Sequence, residues 1–211
     1  MPERILQKIR QRDEYRYIPP TKEDLKVLGE ANLQGRTECS PEFLKEFDET
    51  RQLFLYIVSS TAARWSNALV RLIPKNFRRR DSEFLKIVTK TYRNSTKTFS
   101  PRGLFVPSFS KGKNSLIIVR RQKSQIHTLW VLAHEFGHFA DMSSSDISSG
   151  ILNFSVPGGT GPEEEAKADV IGSELVMRSD LSKERKEKIL RAAWQIRKEI
   201  NSRKEKRNDI V

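Results

Sequence analysis

Thr128-Leu-Trp-Val-Leu-Ala-His-Glu-Phe-Gly-His-Phe-Ala140 is apolar enough and long enough to form a buried helix, and residues 134–138 within it read His-Glu-Phe-Gly-His. Positions four apart lie one turn above each other on one helix face, so His134 and His138 can both aim an imidazole nitrogen at a single Zn²⁺. Glu135, one position on from a ligand, is badly oriented to bind the ion itself. It can instead reach a water in the open fourth position and take its proton. Burying His, Glu and His on an apolar helix without an ion would gather three desolvated polar groups, so the pattern predicts a metal centre of hydrolytic type. Gly137 disfavours a helix interior by about 1 kcal/mol relative to Ala, which predicts a close neighbour at that point. His127, two turns before His134 and about 10 Å away along the axis, is too distant to share the ion and is expected at a helix start or on the surface.

The third ligand must come from another element. Pro162-Glu-Glu-Glu-Ala-Lys-Ala-Asp-Val-Ile-Gly-Ser-Glu-Leu-Val-Met177 reads as a second helix. Pro162 suits its first turn, Glu163 to Glu165 complement the dipole, and Ala166, Val170, Ile171 and Leu175 supply an apolar stripe. Glu163 and Glu164 are expected to be solvated. Glu165 and Asp169 are four apart, so Glu165 can complete a zinc shell while Asp169, one turn on, accepts the second ring N–H of a ligand histidine and fixes its tautomer. Asp141, three residues after His138, is the competing ligand; it could also cap the end of the active helix.

Three items in order carry a family likeness: the strand Ser115-Leu-Ile-Ile-Val-Arg120, the Leu-Ala-His-Glu-Phe-Gly-His helix, and Glu165-Ala-Lys-Ala-Asp169 followed by Ser173-Glu-Leu-Val-Met177. Over roughly residues 100–180 the chain resembles the ImmA/IrrE family of zinc metallopeptidases. The resemblance implies that His134, His138 and Glu165 bind zinc, that Glu135 is the base, and that Asp169 stands where the family typically has Asn. It also implies a protein substrate of the class of DNA-binding repressors or similar regulators. The chain departs from the family pattern in having Ile171-Gly172 for Phe-Ala, Arg178 for Pro, and a long Ser/Gly-rich segment between the motifs.

His-Glu-Phe-Gly-His-x-x-Asp is also similar to the motif of the lethal factor group of secreted zinc proteases, a toxin reading kept as an alternative. Met1-Pro-Glu-Arg-Ile-Leu-Gln-Lys-Ile-Arg10 has no apolar core of the kind a secretion signal carries. The metzincin pattern fails, because Asp141 and Ser144 stand where Gly and His or Asp are needed.

With 211 residues, 36% hydrophobic and 31% charged, the composition predicts a soluble globular protein with one substantial core, or a core plus a helical extension. The longest apolar run, Leu53-Phe-Leu-Tyr-Ile-Val58, falls far short of the roughly 18 residues of a membrane span. A single cysteine, Cys39, excludes an internal disulfide and fits a cytoplasmic, reducing location.

Breakers organise the rest. Pro19-Pro20-Thr21 introduces a short helix, and Ser40-Pro41-Glu42 caps a longer one that can run to Ile73 before Pro74. Its residues Phe43, Phe47, Phe54, Ile57, Val58 and Trp65 partly follow helical spacing and are expected in the core. Asp81 or Ser82 can cap a further helix through Tyr92. Leu104–Phe109, a turn at Lys111–Asn114 and Ser115–Arg121 read as a β-hairpin, with Pro107 restricting its strand to an edge or bulge. Such an edge, just before the active helix, suits main-chain pairing with an extended substrate. Asp141–Gly161, rich in Ser and Gly, reads as a loop across the cleft, either a lid or a disordered connector. A last helix places Ile189, Ala193, Ile196 and Ile200 on one face.

The net charge of +12 is uneven: residues 71–102 carry ten Lys/Arg against two acids, and residues 182–207 eleven against four. Two basic segments suggest an acidic partner, with nucleic acid as one candidate and Arg78, Arg79 and Arg80 as its candidate contacts, although solvated helix faces are the usual outcome. The expectation is an α+β, zincin-like metallopeptidase of gluzincin type. Residues 1–98 would form a helical N-terminal region, and residues 99–211 would form the core, with active-site helix, small antiparallel sheet, Glu-bearing helix and basic C-terminal helix. The competing class is a basic nucleic-acid-binding protein with a structural or catalytically silent zinc site, a site that would have no need of Glu135.

Overall fold

The computed structural model describes residues 22–61, 68–75, 102–106, 115–144 and 162–208. Two helices come first, α1 (Lys22–Thr37) and α2 (Pro41–Thr61), followed by the strands β1 (Ala68–Ile73), β2 (Gly103–Val106) and β3 (Ser115–Arg120). Three further helices are α3 (Gln125–Ser144), α4 (Pro162–Arg178) and α5 (Lys183–Asn208). The fold is α+β, with five helices and one three-stranded mixed sheet among the described residues.

Ser40 caps α2 as its sequence suggests: the Ser40 hydroxyl accepts from the Phe43 N–H at 3.3 Å. The helix does not run to Ile73. It is described to Thr61, and Ala68–Ile73 is instead a strand, pairing in parallel with β3 from Ala68 opposite Ser115 to Ile73 opposite Arg120. Apolar residues at 68–73 fit either period, and the partner that selects the extended form lies far along the chain. The sheet is accordingly mixed and not the purely antiparallel hairpin expected. The hairpin strands themselves do pair antiparallel, Gly103 opposite Val119 and Phe105 opposite Ile117, giving the order β1-β3-β2.

β3 is buried from Ser115 to Val119 because both faces of the sheet are covered. On one face, Val70, Leu72, Ile117 and Val119 join the main core with α2, α3, α4 and α5. On the other, Ile73, Leu104, Leu116 and Ile118 pack on Leu28 and Ala31 of α1. α1 also closes the outer edge of β1, where the Asn32 side-chain oxygen accepts from the Leu72 N–H at 2.8 Å. Among the described residues β2 pairs only with β3, so its far edge has no strand partner.

Phe43, Phe47, Phe54 and Val58 are buried on α2, and Phe54 meets Phe136 of α3 edge-on, with ring centroids 5.6 Å apart. Ile189, Ala192 and Ile196 bury one face of α5. No described helix is long and apolar enough to cross a membrane. Trp65, Arg78–Arg80, the helix read at 81–92, the turn at 107–114 and the segment 145–161 lie outside the described residues, as do the side chains of Glu163, Glu164 and Ile200.

Candidate metal centre

α3 presents different residues to different neighbours. Leu129, Leu132, Phe136 and Phe139 are fully buried against the sheet and α2, which turns the Trp130, His134, His138 side of the helix toward α4. Two glycines let α3 and α4 cross at backbone contact. A Cβ on Gly137 would lie 2.9 Å from Ala168 Cα, and one on Gly172 would lie 2.8 Å from the Ala133 carbonyl oxygen. The close neighbour expected at Gly137 is therefore the α4 backbone. This approach brings the acidic face of α4 onto the two histidines.

Glu165 meets both rings. His134 Nε2 lies 3.2 Å from Glu165 Oε2, and His138 Nε2 lies 3.6 Å from Glu165 Oε1. The ligand atoms of His134, His138 and Glu165 all lie within 4.8 Å of one another, so the three could hold one metal ion. Zn–N and Zn–O bonds of about 2.0–2.1 Å at the tetrahedral angle set ligand atoms about 3.3 Å apart, and the two contacts with Glu165, made by different carboxylate oxygens, lie near that spacing. Asp141, the competing ligand, is not part of this group and lies in the last turn of α3, which continues to Ser144. His127 sits in the first turn of α3, as expected, and is partly buried.

Asp169 takes the position assigned to it. Its Oδ1 lies 2.7 Å from His134 Nδ1, while its Oδ2 is engaged by the Arg197 guanidinium from α5. Once the ring is neutral, an acceptor at Nδ1 keeps the remaining proton there and leaves the Nε2 lone pair for an ion. Burial alone would lower the His134 pKa, but hydrogen bonds to Asp169 and Glu165, together with the charges of Glu135 and Glu165, push it up to about 10.

Glu135 is buried at 5% exposure. Burial pushes its carboxyl up to about 8, opposed by the charge of His134 and reinforced by Glu165. It lies against Gly103 at the start of β2, where a Cβ would fall 2.7 Å from Glu135 Cγ. Only a residue without a side chain leaves that space, and the carboxylate thereby sits directly beneath the edge strand.

Neither Gly103 nor Arg197 was legible as a site residue in the sequence. Gly103 opens its strand without any motif, and Arg197 reads as one charge among many on a basic helix. Both become visible only when β2 and α5 pack against α3 and α4. Comparison with known proteins finds no matching family model, no matching curated protein and no matching solved structure.

Proposed function

We propose that the chain is a zinc-dependent metallopeptidase with a zincin-like core of gluzincin type. The observation that carries this reading is the convergence of His134, His138 and Glu165 from two helices beside a buried Glu135 that takes no place in the ligand group. A structural zinc site needs four closed ligands and no neighbouring base, whereas three ligands and a carboxylate are the hydrolytic pattern. When bound, Zn²⁺ supplies Lewis-acid chemistry, polarising a carbonyl and lowering the pKa of water toward about 7. Glu135 accepts the proton of the attacking water and delivers it to the leaving amine.

The far edge of β2, which has no strand partner among the described residues, supports a peptide substrate. An extended chain hydrogen-bonded along Gly103–Val106 would run past Gly103, beneath which Glu135 lies, so main-chain pairing would fix the scissile bond near the base. The likeness to ImmA/IrrE peptidases favours a DNA-binding repressor or similar regulator as the substrate.

Zinc analysis and peptide cleavage test the reading together. The purified protein should carry about one Zn²⁺ per chain, and His134→Ala or His138→Ala should release it. Glu135→Gln should keep the zinc and the fold while hydrolysis falls by about 10²–10⁴-fold. Equal zinc in the wild type and both histidine variants removes the metal from this helix, and undiminished cleavage by Glu135→Gln removes the base.

A further inference from the structure

Arg197 stands on α5, on a segment whose sequence reads as a solvated basic face, yet its guanidinium reaches across to Asp169 on α4. Asp169 is shared between two partners. One oxygen faces His134 Nδ1 at 2.7 Å, and the other faces Arg197. A carboxylate held at one oxygen can pivot about that bond. Held at both, its plane is set, and with it the direction of the acceptor seen by the imidazole.

Charge favours the same arrangement. Glu135, Glu165 and Asp169 gather around His134, and Arg197 is a cation placed against Asp169 from outside that cluster. The helix that carries it is well fastened. Ile189, Ala192 and Ile196 are buried, and Arg185 makes a two-pronged ion pair with Glu46 of α2, with both contacts at 2.5 Å. Arg197 follows directly on Ile196, the last of those buried residues, so packing of α5 delivers its side chain to Asp169. An ordinary exposed ion pair contributes little. This one differs because its acid also holds a residue of the metal group.

We propose that Arg197 is a positioning residue of the metal site, locking Asp169 so that His134 presents Nε2 to the ion. The C-terminal basic helix thereby becomes part of the site. This inference rests on the zinc reading above, and its test separates the two.

Zinc affinity by chelator competition, with the histidine ring ¹⁵N signals of the zinc-loaded protein, should be compared across variants. Arg197→Ala should weaken zinc binding about tenfold and speed exchange of the His134 Nδ1 proton, with the far-UV spectrum unchanged. Arg197→Lys, which keeps the charge but not the planar fork, should recover part of the affinity. Because Arg197 acts through Asp169, the double variant Arg197→Ala/Asp169→Asn should bind zinc no more weakly than Asp169→Asn alone. Wild-type affinity in Arg197→Ala, or losses in the double variant that multiply, would overturn the role. His138→Ala is the control for the site: if it binds zinc like the wild type, the metal reading itself fails, whereas loss of zinc there with none in Arg197→Ala overturns only the part given to Arg197.

Discussion

His134 is held by carboxylates on two sides, and that has a measurable consequence for metal uptake. Its pKa stands at about 10, above the ordinary 6.5, so in the metal-free protein the ring keeps its second proton through neutral pH. An ion can take Nε2 only when that proton leaves. Zinc binding should therefore release at least about one proton per ion near pH 8, and apparent affinity should rise about tenfold per pH unit between pH 7 and 9. Calorimetry in buffers of different ionisation enthalpy reads the proton directly; uptake without release would show that the ring holds no second proton at that pH. The third ligand is also decided at this scale. Glu165→Gln should weaken zinc binding strongly and Asp141→Asn should leave it nearly unchanged, because Glu165 approaches both rings and Asp141 is not part of the ligand group. A large loss confined to Asp141→Asn would reverse that choice.

Helices α3 and α4 owe the site to their separation. Gly137 and Gly172 face each other's partner backbone from opposite helices, and the room they leave is less than one methyl group. Gly137→Ala would gain about 1 kcal/mol of helix propensity, but its methyl would meet the Ala168 main chain, which cannot rotate aside. Overpacking of that kind costs about 1–3 kcal/mol, and the displaced helix carries Glu165 and Asp169 with it. The expected result is a net loss of thermal stability together with weakened zinc binding. A Gly137→Ala protein as stable as the wild type, with undiminished zinc affinity, would show that the crossing is looser than this geometry. Phe136 and Phe139 act in the opposite sense, anchoring α3 against Phe54 and Phe105 so that the helix cannot rotate its histidines away from α4.

Across the whole molecule, four of the eleven Lys/Arg residues of α5 are seen in ion pairs within the protein. Arg185 pairs with Glu46, Lys188 with Glu184, Arg191 with Glu187 and Arg197 with Asp169. These pairs reduce the positive field that α5 offers an acidic partner. The remaining test falls on Arg78, Arg79 and Arg80: if they contact phosphates, binding to DNA or RNA must weaken steeply as salt rises, and neutralising them must reduce both affinity and the salt slope. We expect no such binding at about 50 mM salt, where screening is weak. Tight, salt-sensitive binding lost on neutralising these arginines would make nucleic acid a partner.

What could be read from the chain by itself was local: the helix around His134 and His138, the cap at Ser40, the helix carrying Glu165 and Asp169, and the two antiparallel strands. Each rests on periodicity, a turn residue or an i, i+4 spacing, which neighbouring residues specify. The strand at Ala68–Ile73 was not legible, because six apolar-rich residues satisfy a helix as readily as a strand until β3 offers a parallel partner. Nor were Gly103 and Arg197, whose roles exist only where β2 meets Glu135 and α5 meets Asp169. Spacing along one helix settles which side chains share a face. Which carboxylate, glycine or cation stands opposite that face depends on how separate elements pack, and tertiary structure alone decides it.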